Sequence, residues 1–572
     1  MTASHPEMPA HRPNHGDAHI AQYDVIIIGA GMTGLYQLYK VRELGLSVRC
    51  FEYGGGVGGT WYWNRYPGAC FDSESETYAY DFSEELHQEW DWKHHFSLQP
   101  DTERYYNYVA DKFDLRRDIQ LNALVEAATW DEEARQWEIR LQSGQRARAR
   151  FVMGAVGILA STASYVPAFP GIEDYQGEWH HPSHWPHEPV SFTGKRVGVV
   201  GTGSTGVQII EQVAKDVGHL TVFQRTATWT GPLHNAPVSE ETQREWKQSF
   251  TEIFDVCNNT PAGFKYVLDE RKAMDVPKEE RWAKYEYLWG RPGFEKWLGN
   301  FFDITIDKDA NDDFCEFMAG KIQERVEDPV LAEKLTPKNV PFGARRIPME
   351  TDYYEVFNQR NVTLVDVKEA PIERITPTGI RTSDGQDHEL DMIIFATGFD
   401  SFTGGFTRMD IRGEDGRSLK EKWDEYPGTC YGLMVAGFPN FFTVVPRAFC
   451  NFPRCSKVIS NWVTRTIEHM EENKLGTIVP TQEAEDAWVE HQNSFSEGQL
   501  FASKDSWFNG GNIPGKKKAF LLYANTLPAY RSELAELADS GYPGFAFETK
   551  VEPPADAVLE PETRATAAAG VA

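Results

Sequence analysis

The sequence predicts an α/β fold, and three observations carry that prediction. A strand–glycine–helix unit occupies residues 23–53, and a second occupies 195–225. Between 240 and 335 the texture changes. "EETQREWKQSFTEIF", "KEERWAKYEYLWG" and "EFMAGKIQERVEDPVLAEKL" place apolar residues three or four apart among charges, which is helix periodicity. Beyond them "VTLVDV", "IERITPTGIRTSDG" and "DMIIFATG" return to strand character. That order predicts two Rossmann-like dinucleotide-binding domains with a mostly helical insertion.

In the first unit, Val25–Ile28 reads as a buried parallel strand and a helix follows from about Met32 to Leu44. Gly29, Gly31 and Gly34 form GxGxxG between them. Glycines there allow the tight turn, close approach of backbone to a pyrophosphate, and close helix–strand packing. The helix N-terminus supplies unpaired N–H groups to the anion. Glu52 ends the next strand, where an acid accepts from ribose hydroxyls and disfavours a 2′-phosphate, so this unit suits FAD or NAD.

The second unit repeats the pattern at Gly201, Gly203 and Gly206. Its second strand ends in Gln224-Arg225-Thr226, with no acid at the ribose position. An arginine there meets a 2′-phosphate, which favours NADPH. One chain with an FAD-type and an NADP-type unit predicts a flavin oxidoreductase.

The totals exclude other classes. A formal charge of −28 over 572 residues opposes binding to nucleic acid or anionic lipid. Seven cysteines without C-x-x-C suggest neither a disulfide framework nor a zinc knuckle. No 18-residue apolar run or signal-peptide core is present, so a soluble cytoplasmic protein is expected. Residues 1–21 and 550–572 lack apolar periodicity and are expected to be disordered tails.

"HHPSHWPH" (180–187) raises the question of a metal, because it holds four of sixteen histidines. Prolines 182, 186 and 189 prevent the i,i+4 pairing of a helical metal site, and no Cys or acid spacing completes a tetrahedral set. No metal is expected.

Three stretches are more specific. "GGTWYWNRYPGACFDSES" (58–75), Tyr175-x-Gly177-x-x-x-His181-x-x-x-Trp185-Pro186 and "DMIIFATGFD" (391–400) resemble the Baeyer–Villiger monooxygenases, which use FAD and NADPH to insert oxygen beside a ketone. The family fingerprint begins with phenylalanine; Tyr175 keeps the aromatic body and adds a hydroxyl. His180, His184 and His187 match no motif position. The resemblance spans about residues 22–548. It implies an NADP domain (159–389, helical insertion about 233–338) set inside a split FAD domain (22–158 and 390–549).

The resemblance also implies roles. The reaction runs through a C4a-peroxide on reduced flavin, whose anion attacks the ketone to give an ester or lactone. Such an anion calls for a cation that cannot give up its proton, and arginine satisfies this. The family's catalytic arginine falls on Arg346 in "VPFGARRIPMETDYYE", and its 2′-phosphate lysine falls on Arg345. Asp72 is expected to pair with Arg346 and temper its charge. Thr60, Trp61, Tyr78 and Val125 resemble FAD contacts. Thr202, Gly203, Ser204, Thr205, Gly206 and Gln208 span the NADP phosphate loop, joined by Arg225 and Thr226. Trp507 resembles the tryptophan of a loop that folds over NADP, with glycines 510, 511 and 515 letting it move. His181 and Trp185 read as an interdomain hinge. In "PRAFCNFPRCSK" (446–457), where the family pattern is not matched, Arg447, Phe449 and Cys450 are expected to line the substrate pocket. The expected partners are a small ketone and O2, with the chain a monomer or weak homodimer. The competing enzyme class is an N-hydroxylating or flavin-containing monooxygenase, which shares both glycine units; the non-enzyme class is a flavin-binding scaffold.

Overall fold

The strand Ala21–Ile28 sets the frame, and its inner half is wholly apolar because it is covered on both faces. The computed structural model describes residues 20–550 except Pro446 and Phe449. The expected tails lie outside the described residues, save that Ala21 already pairs with Ala147 in the sheet and Lys550 is placed.

Ala21–Ile28 pairs in parallel with Val48–Phe51 on one side and Arg146–Gly154 on the other. The helix Met32–Glu43 connects the first two, as the glycine pattern predicts. The sheet continues through Gln136–Leu141 and Val125–Asp131, which run antiparallel. Two strands from far along the chain complete it: Asp410–Arg412 against Val125–Asp131, and Phe441–Phe442 against Arg146–Gly154. The long helix Phe452–Glu472 lies on Met32–Glu43, where Tyr36 donates to Asn461 (2.8 Å) and Gln37 to Thr464 (3.2 Å).

The second sheet is all parallel, in the order Val362–Asp366, His219–Gln224, Arg196–Val200, Met392–Phe395 and Glu178–His180. This corrects one expected boundary. The expected boundary at 389/390 puts Met392–Phe395 with the second FAD segment, yet the strand hydrogen-bonds between two strands of the second sheet. The reason is that "MIIF" is fully buried on both faces, which only a central strand achieves.

The helical insertion is built from Glu240–Gln248, Phe250–Asn259, Lys278–Trp289, Lys308–Arg325 and Pro329–Leu335, with shorter turns between. Its later helices share one apolar core with the second sheet, including Trp229, Tyr285, Phe314 and Val222, whereas Trp246, Phe250 and Phe254 of its first two helices pack on the core of the first sheet. Inside it Asn311 exchanges two hydrogen bonds with the Phe342 backbone, both 3.0 Å. That amide pair anchors the segment carrying Arg345 and Arg346.

Candidate functional site

Both glycine turns open into one cavity of about 1330 Å³. At their first glycines the backbone is left-handed: Gly29 has φ +104° and Gly201 has φ +108°. A Cβ would sit 2.6 Å from the Ala155 carbonyl oxygen at the first and 2.5 Å from that of Ala396 at the second, so no other residue fits. Gly31 and Gly203 line the cavity, and nothing stands within 4 Å of where a Cβ on Gly203 would be. Gly34 and Gly206 lie one turn into their helices and serve packing, not the cavity wall.

On the FAD-type side, buried Glu52 accepts N–H bonds from Ala30 (2.7 Å) and Gly54 (2.6 Å). Burial pushes its carboxyl up and those two N–H groups pull it back. It lines the cavity, and a carboxylate has lone pairs beyond those two bonds for a ribose diol. Thr60 and Trp61 lie on the short helix Thr60–Trp63. Trp61 Nε1 donates to the Tyr78 hydroxyl at 3.2 Å, and Phe71 stacks on Tyr78 at 4.2 Å. Val125, first in its strand, closes one part of the wall.

On the NADP-type side, Thr202, Ser204, Thr205 and Gln208 line the cavity, and Thr202 donates to the Thr226 carbonyl at 3.2 Å. Arg225 and Arg345 both face the same end, near Asp505. The Arg345 Nε is buried without a hydrogen-bond partner. Burial, and then the like charge of Arg225, hold the Arg345 guanidinium below its ordinary range. Two cations set against each other, one with an unspent N–H, fit a phosphate dianion.

Arg346 joins the two sides. Its Nη2 pairs with the Asp72 carboxylate, its Nη1 donates to Ser204 Oγ at 3.0 Å, and the Phe294 ring lies 5.9 Å from its carbon. The Asp72 side chain is 5% exposed and that of Arg346 is 34% exposed. Both line the cavity, the cation the more open of the two.

Trp507 lines the cavity and stacks on Phe402 at 5.7 Å. Its loop is tied to the end of the "ATGFD" stretch: Lys516 pairs with Asp400, and Asn512 donates to the Phe399 carbonyl at 2.9 Å.

None of the fingerprint residues lines the cavity. Tyr175 donates to the Leu390 carbonyl at 3.0 Å, and a Cβ on Gly177 would meet the Tyr175 hydroxyl at 2.4 Å. Trp185 is buried against His180, and Pro186 follows it. His181 Nδ1 accepts from the Ser183 N–H, which leaves Nε2 to donate to the Gly398 carbonyl at 3.2 Å. Burial pushes the His181 imidazole down to about 4, so it stays neutral at working pH. Both its nitrogens are engaged within the link, and among the described residues no three His, Cys, Asp or Glu side chains converge as a metal site. The prolines do block an α-helix here, although Pro182–His184 still makes one 3₁₀ turn.

Several contributors escape the motif reading. His184 lines the cavity with its ring 5.7 Å from Trp63, and His187 sits 5.1 Å from Tyr62. Phe452 and Ser456 also line it, one turn apart at the start of the long helix, and Ser456 hydrogen-bonds Thr33 at 2.9 Å. They replace the expected wall. Arg447 is buried beside Trp423, and neither it nor Cys450 reaches the cavity; Phe449 lies outside the described residues. The reason is the helix start: Asn451 bonds back to Thr77, and this turns Phe452 and Ser456 inward instead.

The chain matches the flavin-binding monooxygenase-like family over residues 22–234. It is 41% identical to a Baeyer–Villiger monooxygenase of Pseudooceanicola batsensis, over 91% of this chain and 96% of that one. It is 40% identical to a phenazine N-monooxygenase of Lysobacter antibioticus, with the same coverage. A crystal structure of OTEMO in complex with FAD and NADP superposes with a TM-score of 0.88 at 42% identity, covering 92% of this chain and 99% of that one. Taken with the two glycine turns, the Arg346–Asp72 pair and the fingerprint, these likenesses establish that the chain belongs to the Baeyer–Villiger monooxygenases.

Proposed function

We propose that the chain converts ketones to esters or lactones with FAD, NADPH and O2, and that Arg346 is its oxygenation cation. The observation that carries this reading is the position of Arg346, held by Asp72 on the FAD side and by Ser204 on the NADP side, above one shared cavity. The bound flavin and nicotinamide supply the hydride transfer and oxygen activation. Glu52 and the two helix N-termini orient the dinucleotides. Arg225 and Arg345 select the 2′-phosphate form. Arg346 stabilises negative charge developing on oxygen, because a guanidinium does not surrender a proton to it. Asp72 keeps that charge in place and limits how tightly it holds an anion. Trp507 and its loop exclude water from the reacting atoms.

The division supporting this chemistry is an FAD part from 22–158 and from residues after Phe395 to 549, with 159–395 as the NADP part. The sheet composition supports it. The chain works as a monomer or weak homodimer in the cytoplasm, without nucleic acid or membrane. Its charge of −28 opposes nucleic acid and anionic lipid, and among the described residues no helix is long and apolar enough to cross a membrane.

The test is NADPH consumption with a panel of ketones and of aromatic amines, with product analysis. Ester or lactone from a ketone is the expected result. N-oxide with no ester, the outcome the phenazine-oxidising relative favours, overturns the ketone assignment. NADPH loss yielding only hydrogen peroxide with every compound overturns oxygenation itself.

A further inference from the structure

The helix Ser204–Val213 does more than offer its N-terminus to a phosphate. On one face, one turn apart, it carries Ser204 and Gln208. Ser204 accepts from Arg346. Gln208, 8% exposed, has its side-chain amide engaged at both ends. Its Oε1 accepts from the Tyr66 hydroxyl at 2.9 Å, and its Nε2 donates to the Cys70 carbonyl at 3.1 Å. Between those two partners lies Gly68, with φ +83°. A Cβ there would fall 2.6 Å from the Gln208 carbonyl oxygen and 2.8 Å from Gln212 Cγ. The 66–70 backbone therefore rests directly on the helix, and only glycine permits that approach.

Asp72 follows Cys70 by two residues. The contacts close a ring: Arg346 to Ser204, one helical turn to Gln208, across to Cys70, along to Asp72, and back to Arg346. We propose that Gln208, beyond its place on the cavity wall, is a positioning residue, which fixes Asp72 against Arg346 by clamping the 66–70 loop to the NADP-side helix. A neutral amide suits the task, because it donates and accepts at once. A carboxylate would turn a lone pair toward the Cys70 carbonyl and add negative charge near Asp72. The consequence is coupling: with the clamp loose, the cation drifts from the oxygen it should stabilise, and reducing equivalents go to hydrogen peroxide.

This inference rests on the reading of Arg346 and Asp72 given above, and the experiment separates the two. Gln208→Met, Tyr66→Phe, their double variant and Arg346→Ala are compared for ester formed per NADPH consumed, for FAD content, and for NADP+ Kd read from the flavin spectrum. Gln208→Met keeps its FAD and an NADP+ Kd within about threefold of wild type. Its ester per NADPH falls about 10- to 100-fold, the cost of a small misplacement. Tyr66→Phe falls in the same direction, and the double variant is no worse than Gln208→Met, because both act through one bridge. If Gln208→Met does not fold, Tyr66→Phe alone carries the test. Unchanged coupling in both single variants overturns the proposal. So does weakened NADP+ binding with unchanged coupling, which makes Gln208 a cofactor ligand. Ester formation surviving in Arg346→Ala withdraws the parent reading instead.

Discussion

Arg225 and Arg345 show how a single side chain can be read before and after folding. The missing acid after the second strand points to a 2′-phosphate, and the structure adds that the two cations face one end of the cavity with a buried N–H unspent. Removing either should raise the KM for NADPH by about tenfold, or about 1.4 kcal/mol, and leave that for NADH unchanged. Steady-state kinetics with both nucleotides decide it; equal losses would mean the arginines hold something other than the 2′-phosphate. Residues fixed by backbone chemistry, such as Gly29, Gly201 and Glu52, were legible because the turn and the ribose each demand one residue type. Gln208 was legible only as a member of the phosphate loop. Its bonds to Tyr66 and Cys70 join segments about 140 residues apart, and no local pattern encodes such a pairing.

At the scale of elements, the parallel strands announced themselves as apolar runs and the insertion as helix periodicity. The domain boundary expected at 389/390 cuts Met392–Phe395 away from its sheet, because a fully buried strand reads alike in either one; only its neighbours distinguish them. The segment before the long helix misled for a different reason. Side-chain direction there depends on where Asn451 begins the helix; Asn451 and Pro453 mark that start, but the bond from Asn451 to Thr77, which joins distant segments, is not written in any local pattern. The loop carrying Trp507 is held to the "ATGFD" end by Lys516–Asp400, both largely buried. Lys516→Met should leave flavin reduction competent while raising the share of NADPH that ends as hydrogen peroxide several-fold, because water reaches the site more often. A peroxide assay alongside NADPH consumption reads this, and an unchanged share would show that the loop closes without that latch.

Across the whole molecule, a buried acid on the NADP-side helix makes stability depend on pH. Burial pushes Glu211, on the helix of the second glycine unit, up to about 8 despite its bond from the Thr351 N–H. The folded state thus keeps a proton that the unfolded chain releases above its ordinary value near 4.5. Stability is full below that value and declines as pH rises toward 8. Glu211→Gln should therefore raise Tm at pH 8 by about 2 °C and have little effect at pH 5. Thermal melts across that range test it; a Tm difference independent of pH would remove Glu211 as the cause. The central claim concerns the junction of the two nucleotide-binding parts, where Arg346, paired with Asp72 and bonded to Ser204, is proposed to serve oxygen insertion. The most direct measurement is product formation by Arg346→Ala supplied with NADPH, O2 and a ketone that the wild type converts. The prediction is flavin reduction at near wild-type rate with ester formation down by about 100-fold or more. Ester formation at the wild-type rate would contradict it.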